Sequence, residues 1–186
     1  MDESEYFDQM EENTQKALDH ANHEFSNINT GKANPGMVEA ITVDAYGSQM
    51  KIKEMAAIST PDMRTIAITP WDRSLLKAVE KAVLTANLGI TPTVMGDTVR
   101  LPLPELTGER RQELVKLANK HAEDSRVRVR NSRREAIDGL KKLQKAGGIT
   151  EDDLKSDEKE IQTMTDDAIK KINELLAKKE KDLTTV

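Results

Sequence analysis

Apolar residues near the start of the chain recur at steps of three and four, the spacing of one face of an α-helix. The stripe lies between about Ser4 and Asn29 and comprises Phe7, Met10, Thr14, Ala17, Ala21, Phe25 and Ile28. Thr30-Gly31 follows, and glycine readily adopts the left-handed backbone that ends a helix. The pattern therefore predicts one amphipathic helix up to about residue 29.

The period changes to alternation after residue 40, which is typical of half-buried strands. Apolar residues alternate with polar ones at Ile41, Val43 and Ala45, at Met50 and Ile52 beyond a turn predicted at Gly47-Ser48, and at Ile66 and Ile68. Asp72 is suited to cap a helix with one apolar face, formed by Leu75, Leu76, Val79, Val83 and Ala86. Gly96-Asp97 predicts a second hairpin. Residues 31–104 therefore predict a small α+β domain.

Helical periodicity returns at Thr107 and continues to Gly147-Gly148, and Thr150 with Asp153 forms a capping-box pattern that starts another helix. At about 1.5 Å per residue these helices would be roughly 60 and 50 Å long, and each needs a partner for its apolar stripe. A short connection favours an antiparallel pair, to which the first helix adds a third member. The predicted fold class is α+β: an elongated three-helix bundle, residues 1–30 and 105–186, with a β/α/β domain, 31–104, inserted after the first helix.

Two segments join the predicted parts, at 30–32 and at 102–105. One contains a glycine and the other contains prolines, a combination that permits bending while it restricts free tumbling. We interpret them as a hinge formed by Thr30, Gly31, Lys32, Pro102 and Pro104. A rigid α+β fold is the alternative.

Charge is distributed unevenly over the 186 residues. The formal net charge is -5, yet residues 126–134 contain five arginines and no acid. On a helical wheel, the predicted apolar seam consists of Leu114, Ala118, Ala122, Ser125, Val129, Ser132, Ala136, Leu140 and Leu143. Four arginines form one outward stripe beside this seam, namely Arg126, Arg130, Arg133 and Arg134. Arg128 lies on the opposite flank, and Arg110 and Arg111 at the helix start extend the positive surface.

Such a stripe is either a solvated helix face with salt bridges or a docking surface for a polyanion. Arg126 has Glu123, and Arg134 has Asp138, within one helical turn. Arg130 and Arg133 have no acid at those spacings. Arginine also suits phosphate groups better than lysine does, because its planar fork binds them bidentately. The residues alone leave both interpretations open.

Signs of covalent chemistry are missing from the sequence. It contains no phosphate-binding glycine loop, no HExxH and no GxSxG, so we expect no enzyme and no cofactor. His20 and His23 have a spacing that permits a shared metal, but surface histidines are the simpler interpretation, and His121 we expect to be structural. Tyr46 and Trp71 are too few to predict a base-stacking sheet. No cysteine and no membrane-spanning run occur, so we expect a cytoplasmic protein without metal, disulfide or membrane partner.

Several motifs, in order along nearly the whole chain, resemble those of bacterial ribosome recycling factors. They are Thr30-Gly31-Lys32-Ala33-Asn34-Pro35, Trp71-Asp72-Arg73-Ser74, Ala78-Val79-Glu80-Lys81-Ala82, Asn87-Leu88-Gly89, Arg100-Leu101-Pro102-Leu103-Pro104, Glu109-Arg110-Arg111, Val129-Arg130-Asn131-Ser132-Arg133-Arg134 and Thr165-Asp166. Lys32 departs from the arginine usual in the family, which keeps the charge but not the bidentate geometry.

The resemblance implies an L-shaped protein of two domains whose outline is similar to transfer RNA. It implies a monomer whose bundle lies against ribosomal RNA of the large subunit after termination. With elongation factor G, which hydrolyses GTP, such a factor splits the ribosomal subunits and releases messenger and transfer RNA. The implied ribosomal-RNA contacts are Arg111, Arg130 and Arg133, with Arg126 and Arg134 adjacent.

Two other functions fit parts of the sequence less well. A chaperone-like or protein-binding helical hairpin would need exposed apolar patches. Its affinity for its partner would not depend on the salt concentration. A hydrolase using helix carboxylates would need a pocket that no motif indicates.

Overall fold

The computed structural model describes residues 1–185. They form two compact units: Met1–Asn29 together with the chain from Thr107 onward, and Thr30–Leu106. The helices are α1 Glu3–Ser26, α2 Ile52–Met55, α3 Leu76–Thr85, α4 Gly108–Lys145 and α5 Glu151–Thr184. The strands are β1 Thr42–Ala45, β2 Ser48–Lys51, β3 Ala56–Asp62, β4 Thr65–Pro70, β5 Thr93–Met95 and β6 Thr98–Pro102. None of these helices is long and apolar enough to cross a membrane.

The first unit is a bundle of α1, α4 and α5, and at the start of each helix a side chain accepts a hydrogen bond from one of the free amides. Thr107 accepts a hydrogen bond from the amide of Arg110 at 3.1 Å. Thr150 and Asp153 exchange the two hydrogen bonds of a capping box, at 2.9 and 3.1 Å, which confirms the predicted start of α5. A second capping box, between Asp2 and Glu5, starts α1.

The predicted seam of α4 is confirmed. All of its members are buried except Leu143, which is half-buried. Alanine and serine occupy much of its middle, and such small side chains allow the axes of neighbouring helices to approach closely. Met10, Ala17, Ala21 and Phe25 of α1 are buried as predicted. The three apolar stripes therefore meet along one axis.

The second unit contains a four-stranded antiparallel sheet in the order β3-β4-β6-β5 and a separate hairpin, β1-β2. Both predicted hairpins are present, and α3 contributes Leu76, Val79 and Val83 to the core. The predicted turn at Gly47-Ser48 is one residue too late. Ala45 pairs with Ser48, so Tyr46 and Gly47 form the turn, with φ of 53° and 78°. Positive φ at both central positions is the geometry of a two-residue hairpin turn.

Neither β3 nor the short helix α2 was predicted. β3 is an edge strand of which only Ala56 is buried, so its sequence shows no alternation. Its position depends on pairing with β4, from Ala56 opposite Pro70 to Asp62 opposite Thr65. Long-range pairing, which a local pattern does not contain, therefore defines this edge of the sheet.

Gly139 of α4 lies directly against the ring of Tyr6 on α1. A Cβ atom built on Gly139 would lie 2.2 Å from Cε1 of Tyr6. We expect Gly139→Ala to destabilise the protein, because overpacking costs about 1–3 kcal/mol and exceeds the gain of about 1 kcal/mol from helix propensity. Thermal unfolding followed by circular dichroism measures the effect. Gly108→Ala is the control, since nothing lies within 4 Å of that position; equal melting temperatures for the two variants would contradict the prediction.

Asp157 of α5 is a buried carboxylate, only 5% exposed, and no hydrogen-bond partner within residues 1–185 reaches its Oδ2 atom. Burial raises the pKa of Asp157 from 3.8 to about 6, and the charges of Glu3 on α1 and of Asp153 and Glu160 on α5 act in the same direction. The native state therefore binds this proton more tightly than the unfolded state does. Ionisation of Asp157 therefore destabilises the fold as the pH rises from about 4 to about 6.

We expect Asp157→Asn to raise the melting temperature at pH 7 and to leave it nearly unchanged below pH 4, because only the ionised carboxyl is unfavourable. Thermal unfolding between pH 3.5 and 7.5 tests this. Asp167→Asn, an exposed change on the same helix, controls for general charge effects. A gain from Asp157→Asn that is the same at both ends of the pH range would show that the ionisation of Asp157 plays no part.

Candidate nucleic-acid interface

The candidate interface is the arginine face of α4, which we define as Arg126, Arg130, Arg133 and Arg134. Arg130 and Arg134 are exposed, and Arg126 and Arg133 are half-buried. The helical wheel predicts that all four side chains point outward, but Arg126 and Arg133 are half-buried and reach residues of α5. The face is therefore built from two helices.

Glu123 binds two members of the face. Its Oε2 atom accepts from Arg126 Nε, and its Oε1 atom accepts from Arg130 Nη1, both at 2.9 Å. Hydrogen bonds from Arg130 and then from Arg126 hold the pKa of Glu123 below its ordinary value. Glu123 lies seven residues before Arg130, or two helical turns, which is beyond the spacing at which a helix sequence predicts ion pairs. Glu123 is half exposed, and a pair so open to solvent contributes little to stability.

Two polar residues of α5 bind the half-buried arginines. Arg126 Nη1 donates to Asn173 Oδ1 at 2.7 Å. Arg133 Nε donates to Gln162 Oε1, also at 2.7 Å. Gln162 in turn donates from Nε2 to Asp166 Oδ1 at 2.8 Å. These contacts fix the direction of two guanidinium groups from the neighbouring helix.

The cross-helix contacts follow one antiparallel register. Asn119 binds Glu180 and Arg126 binds Asn173, so seven residues along α4 are matched by seven along α5 in the opposite direction. The ion pair between Lys141 and Glu158, at 3.4 Å, continues the same register fifteen residues further. The α5 members of the interface were absent from the sequence predictions. A seven-residue step of polar positions on α5, from Glu180 to Asn173 and Asp166, is a signal that would have indicated Asn173, but Gln162 lies outside this step.

A cavity of about 300 Å³ opens beside the face. It is lined by Arg133, Arg134, Ile137, Asp138, Lys141 and Glu158. Three cations and two acids surround it, and one acid, Glu158, is paired with Lys141. The side chain of Arg134 makes no hydrogen bond or ion pair with any residue in the described part of the chain. The cavity therefore has excess positive charge, which suits a phosphate-sized anion.

The other arginines differ in their surroundings. Arg111 donates from Nη1 to the carbonyl oxygen of Leu183 at 3.0 Å, one of the carbonyls left without a helical partner at the end of α5. Arg110 pairs with Glu113 at 2.8 Å. Arg128 is exposed. Arg111 therefore has a structural role in the bundle whatever else it contacts.

The predicted hinge residues have unequal restraints within the second unit. Pro102 is the last residue of β6 and is paired with Thr65. Beyond it, Leu103 donates its amide hydrogen to the carbonyl of Arg64 at 2.7 Å. On the other segment, Gly31 has a φ of 74°, which favours glycine, and a Cβ there would lie 3.1 Å from Leu106 Cγ. The sheet thus holds Pro102, whereas Pro104 lies outside every strand and helix.

His20 and His23, whose spacing permits a shared metal, contact different residues. His20 and His121 lie 3.7 and 3.5 Å from the two carboxylate oxygens of Glu24, which joins α1 to α4. His23 instead contacts Asn27 at 3.3 Å. Among residues 1–185 no group of three metal-ligating side chains converges.

Two aromatic side chains of the second unit are open to solvent. Tyr46 is 73% exposed and Trp71 is 72% exposed. The Tyr46 hydroxyl donates to Asp72, and this hydrogen bond raises the pKa of Tyr46. Exposed aromatic residues are enriched in protein–protein interfaces.

Comparison with known proteins identifies the family to which these features correspond. The protein family described as "Ribosome recycling factor" matches residues 21–184 of this chain. A ribosome-recycling factor of Thermosynechococcus vestitus is 48% identical over 95% of this chain and 97% of its own length. One from Rhodopseudomonas palustris is 46% identical over 98% of this chain and 100% of its own length.

Solved structures give the same result. A solution structure of a ribosome recycling factor has a TM-score of 0.80 and 39% identity, and the match covers 100% of this chain and 99% of the other. A second structure describes models for the T. thermophilus ribosome recycling factor and the E. coli elongation factor G bound to the E. coli post-termination complex. It has a TM-score of 0.66 and 38% identity, with full coverage of both chains.

Proposed function

This chain belongs to the ribosome recycling factor family, and we propose that its bundle binds ribosomal RNA of the large subunit after termination. With elongation factor G, which hydrolyses GTP, it splits the subunits and releases messenger and transfer RNA. The arginine face, a cluster of four arginines on one helix of an acidic protein, is the observation that carries the proposal. The protein acts as a monomer on cytoplasmic ribosomes and carries out no covalent step itself.

The chemistry of the face supports a phosphate-rich partner. The four guanidinium groups of the arginine face lie within nine residues of one helix, a length of about 12 Å. Guanidinium groups bind phosphate oxygens bidentately, and neutralising a phosphate releases condensed counterions. On α4 the exposed large apolar residues, Leu117 and Val127, are ten positions apart. This spacing gives little support to a protein-binding hairpin, which needs a continuous apolar patch.

Motion of the inserted unit is the second part of the proposal. The backbone hydrogen bonds from Ala33 to Met63 and from Leu103 to Arg64 restrain both connecting segments close to the sheet. We therefore expect most of the bending at Thr30, Gly31 and Lys32 on one segment and at Pro104 on the other, because Pro102 is paired within the sheet. The exposed pair Tyr46 and Trp71 suits this unit to meet a protein, for which elongation factor G is the candidate.

Arg130→Ala combined with Arg133→Ala should weaken binding to the large subunit by at least about 100-fold, because each of the two charged hydrogen bonds that are removed contributes about 1.5–3 kcal/mol. The slope of log affinity against log salt should fall by about 0.7 to 0.9 for each phosphate that is no longer neutralised. Equilibrium binding at several salt concentrations measures both quantities, and circular dichroism shows whether the variant is folded.

Arg128→Ala is the matched control for Arg130→Ala, because both residues are exposed and only two positions apart on α4. It should leave affinity and salt slope almost unchanged. An unaltered affinity and slope in the double variant would refute the RNA contact and favour the salt-insensitive protein-binding alternative.

Gly31→Ala should restrict the hinge, because alanine is strained at a φ of 74° and its Cβ would crowd Leu106. The chain has no cysteine, so Asp97→Cys and Lys159→Cys, at exposed positions, provide one fluorescent label in each unit. Single-molecule energy transfer should show several interconverting distances in the parent and a narrower distribution in Gly31→Ala.

Gly89→Ala controls for backbone strain alone, since Gly89 has a φ of 71°, open space around it and no place in either connection. It should leave the distance distribution as in the parent. A single narrow distance in the parent, insensitive to Gly31→Ala, would support the rigid fold instead.

A further inference from the structure

Arg133 differs from its neighbours in the chemistry of the group that holds it. Arg126 and Arg130 both bind the carboxylate of Glu123, whereas Arg133 binds the neutral amide of Gln162. Arginine only donates and a carboxylate only accepts, so the partners dictate the orientation of the amide: Oε1 towards Arg133 and Nε2 towards Asp166.

The helix register gives this arrangement its significance. Arg133 lies seven residues beyond Arg126, and Asp166 lies seven residues before Asn173, so Asp166 is level with Arg133 in the pairing of α4 and α5. An arginine at the level of an aspartate on a neighbouring helix is positioned for a direct ion pair. Gln162 instead binds both side chains and stands between them.

Two consequences follow for the Arg133 guanidinium. Its Nε is fixed, which removes side-chain freedom before any ligand binds, while Nη1 and Nη2 have no partner within residues 1–185. Its charge also forms no ion pair with a carboxylate in the described chain, at the edge of a cavity lined by the cations Arg134 and Lys141 and by the acids Asp138 and Glu158. An oriented and uncompensated guanidinium is prepared to bind a phosphate through its two Nη groups.

We propose that Gln162 is a positioning residue of the arginine face: it orients Arg133 towards RNA phosphate and keeps it from pairing with Asp166. The inference rests on the proposed function and adds a residue of α5 to it. A purely structural role, as one hydrogen bond between two helices, is the alternative.

The test is the affinity of the full-length protein for purified large ribosomal subunits. Gln162→Met keeps the length of the side chain and removes the amide, so binding should weaken about 3- to 10-fold, the scale of one hydrogen bond. In an Arg133→Ala background the same change should cause no further loss. Adding Asp166→Asn to Gln162→Met should restore most of the affinity, because the competing carboxylate is then gone.

Gln15→Met is the matched control. Gln15 donates to Asp19 on α1 at 2.8 Å, as Gln162 does to Asp166, but it binds no arginine. It should leave subunit affinity unchanged.

The outcomes separate the two proposals. A loss that persists in the Arg133→Ala background, or that Asp166→Asn does not restore, would overturn the positioning role while the arginine face stands. Parent-like affinity in Gln162→Met beside a clear loss in Arg133→Ala would do the same. No loss in Arg133→Ala itself would overturn the RNA contact of this residue and the role of Gln162 with it.

Discussion

The antiparallel packing of α4 against α5 is the constraint on which the bundle and its surface both depend. Helices of 38 and 34 residues with one apolar stripe each are stabilised chiefly by burial of those stripes against partners. Ala118, Ala122 and Ser125 keep the middle of the seam narrow. Because the helices pack in one register, polar residues beside the seam such as Asn119, Arg126 and Lys141 have partners on the other helix.

The arginine face inherits its geometry from that register. A long arginine side chain on an isolated helix samples many rotamers, and binding a ligand would have to restrict them. Here Asn173 and Gln162, both on α5, accept hydrogen bonds from Arg126 and Arg133. These two side chains are therefore restricted before any ligand binds. Arg130 and Arg134 remain exposed and adaptable. The face thus combines two oriented guanidinium groups with two that are able to follow an irregular RNA backbone.

The parts of the fold that could be predicted are those encoded by neighbouring residues. Thr150 with Asp153 identified the start of α5, and the wheel around Val129 identified the buried seam. The exposed residues of β3 carry no local pattern, and the pairing of Pro102 with Thr65 is likewise not encoded by neighbouring residues. The candidate site divides in the same way. The stripe of arginines follows from spacing on one helix, but Gln162 becomes its partner only through the register of two helices.

Charge alone explains less of the candidate function than geometry does. The chain carries 33 acidic against 28 basic residues, so its net field repels RNA at long range. At physiological ionic strength the field is screened beyond about 8 Å, less than the roughly 12 Å length of the arginine face. Attraction is therefore confined to phosphates almost touching the face, where the direction of each guanidinium decides whether two hydrogen bonds form or one. Under this limit an arginine held by a neutral amide is worth more to RNA binding than an additional cation paired with an acid, because it keeps both its orientation and its charge.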